Sequence, residues 1–200
     1  SMKVTIHGSN IHPGSAKNEM KNSILIGLEF QSMLPENEKP QYTEKYEGFF
    51  HLNQIGGNVE NTTLHYIVRD HDMTRFEERK ALGNKIGEFL NAKYGEGTVE
   101  VEIADTYYNM AEKIRPHMYL MDVAAEAFKE LGIETPAINP VRGGTDGSRL
   151  SYMGLPCPNL CTGGHNYHGK YEFICIQSME KTVELLLKIA EKFTKVEKQA

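Results

Sequence analysis

Residues 142–147 read Arg-Gly-Gly-Thr-Asp-Gly, and residues 163–172 read Gly-Gly-His-Asn-Tyr-His-Gly-Lys-Tyr-Glu. Glycines let a backbone approach a ligand closely and adopt positive φ. The guanidinium of Arg142 is a rigid fork that matches a carboxylate. His165 and His168 lie three apart, and imidazole is both the commonest metal ligand and an acid/base near neutral pH. Ordinary loops are built from Asn, Asp, Ser and Pro, so this density of Gly, Arg and His marks a candidate site. His168 reads either as a solvated loop imidazole or, among Gly163, Gly164, Gly169 and His165, as a ligand. Zinc needs three or four ligands, and Asp146 and Glu172 are the only acids nearby in sequence. The residues alone do not assemble a complete metal site.

Other candidates stand apart from this pair of loops. His12 precedes Pro13-Gly14, and the proline biases it toward an extended backbone that projects its ring from a strand end; a plain loop histidine is the alternative. Arg69 ends a strand on the face of His65 and is followed by Asp70 and Asp72, which suits a binding residue or a surface ion pair. Tyr107-Tyr108-Asn109 falls between two differently patterned halves, where a cleft or simple hinge packing is expected. Cys157, Cys161 and Cys175 make an odd set. Reduced, buried thiols are expected in preference to half of a zinc clasp, and the expected compartment is the cytoplasm. The formal net charge is −5 with no basic run, which argues against nucleic acid. No apolar stretch approaches the roughly 20 residues of a membrane span. The chain opens Ser-Met-Lys without the pattern of a signal peptide.

The elements that must hold these residues follow from periodicity. Residues 3–7 alternate as a half-buried strand with Val4 and Ile6 inward. Residues 17–34 read as a helix stopped by Pro35, with Met20, Ile24 and Leu28 in one row. Leu25, Ile26, Phe30 and Met33 widen it beyond one contact, leaving a second apolar face for a partner. Residues 49–54 and 63–69 read as strands around Gly56-Gly57-Asn58, with Leu64, Tyr66 and Val68 on one side. Thr74-x-x-Glu77 predicts a capping box for a helix with Leu82, Ile86 and Phe89 as its stripe. Val99, Val101 and Ile103 alternate as a fourth strand. The order β-α-β-β-α-β over residues 3–104 predicts a ferredoxin-like α+β unit with both helices on one face. Further on, Pro116 and Gly132 bracket a helix with Leu120, Ala124, Ala127 and Leu131 buried. Residues 136–162 read as loops and short elements. A last helix over about 178–196 is expected to bury Met179, Val183, Leu186 and Ala190. Two helices and short strands make a poor isolated domain, so this half reads as part of a larger α/β layer.

Six strings carry a resemblance: Asn10-Ile-His-Pro-Gly-Ser-Ala-Lys17, Tyr46-Glu-Gly-Phe-Phe-His51, Tyr107-Tyr-Asn-Met110, Arg142-Gly-Gly-Thr-Asp-Gly147, Met153-Gly-Leu-Pro-Cys-Pro-Asn159 and Tyr167-His-Gly-Lys170. In order and spacing, over essentially the whole chain, they resemble the tripeptide aminopeptidases of the di-zinc exopeptidase family, which also holds aminoacylases and succinyl-diaminopimelate desuccinylases. Tyr-His-Gly-Lys and Tyr-Tyr-Asn-Met favour a tripeptide aminopeptidase over a dipeptidase or an amino-acid deacylase. The resemblance implies an α/β protein cut short: residues 3–106 as the lid and dimerisation domain, and 107–200 as the C-terminal portion of the catalytic domain. The family's remaining metal ligands and general base would lie in an N-terminal portion outside this chain. By resemblance, His168 is the last metal ligand of a site holding two zincs, and His12 is the lid histidine that stabilises the oxyanion, often across a dimer interface. The same resemblance implies that Arg69 and Arg142 grip the substrate carboxylate, that Asn109 makes a polar contact at the lid junction, and that Gly143, Gly144 and Thr145 line the pocket. It also implies that residues 105–109 are one hinge strand of a closing lid. A tripeptide substrate, a homodimer through the lid and no activity of this chain alone are the accompanying expectations. A non-catalytic lid and dimerisation module is the competing one.

Overall fold

The computed structural model describes residues 1–134 and 137–196. The chain divides into two compact units, one of residues 1–106 with 140–142 and one of residues 107–139 with 143–200.

The first unit has the order β1 (Met2–His7), α1 (Ser23–Met33), β2 (Phe49–Gly57), β3 (Asn61–Arg69), α2 (Met73–Tyr94) and β4 (Val99–Ile103). Its sheet is antiparallel with strand order β2-β3-β1-β4, the ferredoxin-like arrangement expected from the element order. Alternation puts Met2, Val4 and Ile6 of β1 and Leu64, Tyr66 and Val68 of β3 on the helix-covered face, where all are buried. Ile26 and Phe30 of α1 and Ile86 and Leu90 of α2 complete that core. Tyr66 is buried with its hydroxyl donating to Gln31 Oε1 at 3.0 Å, and burial pushes its pKa up.

Both helices differ from the periodicity reading in detail. The first begins at Ser23, not 17, because Asn22 caps it, its Oδ1 accepting from Ile24 N at 3.0 Å. Asn18, within the stretch read as helix, has φ 65°, a left-handed conformation that no right-handed helix contains. The row meeting the sheet is Ser23, Ile26, Gly27 and Phe30. Leu25 and Leu28 are 62% and 53% exposed, so Leu28 faces outward and Phe30 inward, the reverse of a Met20–Ile24–Leu28 contact. The second helix starts from Asp72, whose Oδ1 accepts from Arg75 N at 2.9 Å; Thr74 lies inside the first turn and is not the cap. Such a cap is worth about 1 kcal/mol. Gly83 and Gly87 let this helix sit against Met2 and Val101, so its buried row is Gly83, Ile86, Gly87 and Leu90. That row turns Phe89 outward, 53% exposed. β2 runs on through Gly57 with an irregularity between Leu52 and Gln54, and the turn follows at Asn58, whose side chain accepts from Glu60 N and Asn61 N.

The second unit is mostly helical: α3 (Ala111–Ile114), a 3-10 turn at Arg115–His117, α4 (Tyr119–Glu130), α5 (Asp146–Tyr152), a hairpin of β5 (Gly164–His165) and β6 (Phe173–Ile174), and α6 (Ile176–Phe193). Pro116 sits in the 3-10 turn, ahead of the helix it was expected to start. Gly132, at φ 64°, follows that helix as expected. Pro136, the start of the expected loop region, lies outside the described residues. The core is small: Ala127, Phe128 and Leu185, with Leu131, Ile133, Leu160 and Ile189 against it. α4 and α6 are also joined by Lys192 to Glu126 and Glu130 at 3.0 and 2.6 Å. Thus α6 packs on α4 through Leu185 and Ile189, not through the expected stripe. Ile176, Met179, Val183, Leu186 and Leu187 are between 50% and 69% exposed. The more apolar side of this helix has nothing to bury against within the described residues.

Candidate functional site

The candidate residues fall into two groups, one in each unit. In the first unit, His12 precedes a 3-10 turn with φ −52° and ψ 123°, the extended backbone that Pro13 imposes. Its Nδ1 accepts from Gly14 N at 3.1 Å. A neutral ring bonded in this way carries its proton on Nε2. The exposed side chain therefore presents one directed N–H donor, the group that a developing oxyanion needs.

Phe49, at one end of the sheet, borders both Arg69 and Arg142. Phe50 points into the core, so its neighbour Phe49 lies on the opposite face, and Phe49 pairs with Arg69 across β2 and β3. The Arg142 guanidinium stacks on the Phe49 ring, 5.0 Å from its centroid. The two cations nominated from the sequence thus have Phe49 as a common neighbour. Arg142 is also engaged: Nη1 donates to Thr43 O at 2.6 Å, and Nη2 donates to Thr43 Oγ1 at 2.6 Å and Glu47 O at 3.0 Å. Beside them His71 packs edge-on against Tyr46. Burial pushes the His71 pKa down and the Arg142 charge adds to this, while Asp70 opposes it. Asp70 is itself tied to Arg79, which also binds Glu38 at 3.0 Å. This Glu38–Arg79–Asp70 network steadies the 38–47 loop; sequence reasoning missed it because its members are 9 to 41 positions apart.

In the second unit, Asn109 closes the turn into α3, its Oδ1 accepting from Ala111 N at 3.0 Å and its carbonyl accepting from Tyr152 Oη at 3.1 Å. Gly144 lies so close to the Tyr107 ring that a Cβ would collide with it, while a Cβ on Gly143 would meet open space. Thr145 stands before α5, yet its hydroxyl caps no N–H of that helix; Oγ1 is buried with no hydrogen-bond partner. A buried hydroxyl without a partner costs on the order of 1–3 kcal/mol, so this loop holds an oxygen suited to a polar ligand atom. His168 is exposed on the loop between β5 and β6, with φ 63°. The ring of His165 is spent on Phe173, stacked at 4.9 Å and 17°. Among the described residues no three His, Cys, Asp or Glu side chains gather into a metal cluster. No described helix is long and apolar enough to cross a membrane.

A known domain falls within the first unit. Residues 1–98 match the peptidase dimerisation domain of the M20 peptidases. Peptidase T of Caldanaerobacter subterraneus subsp. tengcongensis is 59% identical over 195 residues, and peptidase T of Alkaliphilus oremlandii is 57% identical over 194. These alignments take in 98% and 97% of this chain but 47% of each relative; the chain spans about half the length of the curated relatives it matches. A tripeptidase from Staphylococcus aureus has the same fold, with TM-score 0.78 and 21% identity over 98% of this chain and 51% of its own. A Bacillus subtilis protein described as a dinuclear metal-binding peptidase of the M20 family aligns with TM-score 0.62 and 15% identity over 98% of this chain and 50% of its own. The chain belongs to the peptidase T family of M20 peptidases.

Proposed function

We propose that the chain is the lid and the last part of the catalytic domain of a zinc-dependent tripeptide aminopeptidase, an enzyme that releases the N-terminal residue from tripeptides. The observation that carries this reading is His12, an exposed imidazole whose Nδ1 is already occupied. It leaves Nε2–H as a preorganised donor for the oxyanion formed when water adds to a peptide carbonyl. Two bound zincs would supply the activated water and polarise that carbonyl. His168 would give one nitrogen to that pair, the other donors coming from the half of the enzyme outside this chain. Arg69 and Arg142, paired around Phe49, would hold the tripeptide's C-terminal carboxylate and so measure substrate length. To do so the Arg142 fork exchanges the oxygens of Thr43 and Glu47 for the carboxylate. Gly143, Gly144 and Thr145 would line the pocket, with Thr145 Oγ1 finding its partner on the substrate, and Asn109 would contribute at the junction. The exposed Leu25 and Leu28 of α1, within the segment that matches a dimerisation domain, support a homodimer through the lid. A cytoplasmic enzyme suits the free cysteines, although Cys161 and Cys175 are exposed and Cys157 half-buried where buried thiols were expected.

The test is a comparison of a tripeptide with its C-terminal amide on the full-length, zinc-loaded enzyme. Loss of the charged partner should lower kcat/KM by about 10–100-fold, the worth of a hydrogen bond to a charged group, and Arg69→Met should shrink the difference. Equal turnover of acid and amide would remove the carboxylate grip, and preference for N-acyl amino acids would move the protein to the deacylases.

A further inference from the structure

The loop that presents His168 is more constrained than a loop histidine requires. Asn166 and His168 both have left-handed backbones, φ 56° and 63°. Each such non-glycine residue costs on the order of 1 kcal/mol, Asn less than His. Strain of this kind persists where the surroundings enforce it, and it gathers at functional sites. Two of the enforcing groups are side chains of the loop itself. Glu172 Oε2 accepts from the backbone N–H of His168 at 3.0 Å, and Asn166 Nδ2 donates to Tyr171 O at 3.1 Å. Gly169 N to Asn166 O at 2.9 Å and Glu172 N to Gly169 O at 3.2 Å close the turn. None of these bonds involves the His168 ring.

We propose that Glu172 is a positioning residue for His168. Its carboxylate accepts the His168 amide proton, holds that residue left-handed, and so sets the direction in which the imidazole leaves the loop. Without this acceptor His168 relaxes to negative φ, where an L-residue is unstrained, and its Cβ points elsewhere. The proposal rests on the reading of His168 as a metal ligand. It assigns Glu172 a role through the backbone, not as a ligand of its own. A side-chain oxygen suffices for that role; a negative charge does not matter.

The experiment is a zinc-affinity measurement by chelator competition on the full-length enzyme, with wild type, Glu172→Ala, Glu172→Gln and His168→Ala. Loss of an outer partner of a metal ligand typically weakens binding 10–100-fold, and that is the expectation for Glu172→Ala. Glu172→Gln, which keeps an acceptor oxygen, should stay within a few-fold of wild type. In the 200-residue chain, hydrogen exchange of the His168 amide should quicken in the Ala variant and not in the Gln variant. Wild-type affinity in Glu172→Ala overturns the clamp, and so does a Gln variant as weak as the Ala variant, which would mean that the charge itself acts. His168→Ala separates the layers. If it binds zinc normally, the ligand reading fails; if it loses zinc while Glu172→Ala does not, only the clamp fails.

Discussion

Replacing His12 by alanine in the full-length enzyme is expected to lower kcat by roughly 10²–10³, the cost of removing one oxyanion donor, with metal content unchanged. The expectation follows from the Gly14 N–H donated to Nδ1, which leaves Nε2 to carry the proton. The contact strengthens only as the carbonyl oxygen gains charge, so kcat and kcat/KM should fall together and KM should move little. His12→Gln, which offers an amide N–H without the fixed ring, should recover a part of the loss. His168→Ala should behave differently and lose zinc along with activity. Steady-state kinetics with zinc analysis on the same samples distinguishes the two, and a His12→Ala enzyme with near-normal kcat would take His12 out of the mechanism.

The second expected result concerns where apolar side chains earn their stability. Phe30 is fully buried in the core of the first unit, and Phe30→Ala should cost about 3–5 kcal/mol. Leu187, 68% exposed on α6, should be nearly silent in the 200-residue chain, since an exposed side chain has little burial to lose. In the full-length enzyme Leu187→Ala should cost about 2–5 kcal/mol, because the remaining half of the catalytic domain is proposed to cover that face. Urea unfolding of both variants in both lengths checks this. An equal, small effect of Leu187→Ala in both would deny that the apolar side of α6 has a partner in the whole protein.

That helix shows where sequence reasoning worked and where it stopped. Alternation in β1, β3 and β4 was readable because one face of each strand is buried and the side-chain period of two is rigid. The strand order followed from the order of elements. Helix faces were harder. In α2 the contact row is decided by Gly83 and Gly87, which a hydrophobic count scores as nothing but which let the backbone reach the sheet. In α6 the stripe of Met179, Val183 and Leu186 was expected to be buried, but the structure leaves it exposed, and Leu185 and Ile189 make the contact with α4 instead. At the site, residue types and the constraint of Pro13 pointed to His12. The Phe49 platform joining Arg69 and Arg142 depends on pairing across 20 residues and on a stacking contact from position 142, neither of which has a local signature. The acceptors for Arg142 are backbone oxygens of Thr43 and Glu47 and one hydroxyl, and backbone acceptors leave no trace in composition.

As proposed, this chain supplies one half of a peptidase and, in His168, one ligand of its metal pair. Zinc analysis of the purified 200-residue chain, with a tripeptide hydrolysis assay run beside the full-length enzyme, tests it most directly. No stoichiometric zinc and no turnover are expected in the chain, and both in the full-length enzyme, because His168 alone falls short of the three protein ligands a catalytic zinc needs. Turnover by the 200-residue chain, or a zinc held by three or more of its own side chains, would contradict it.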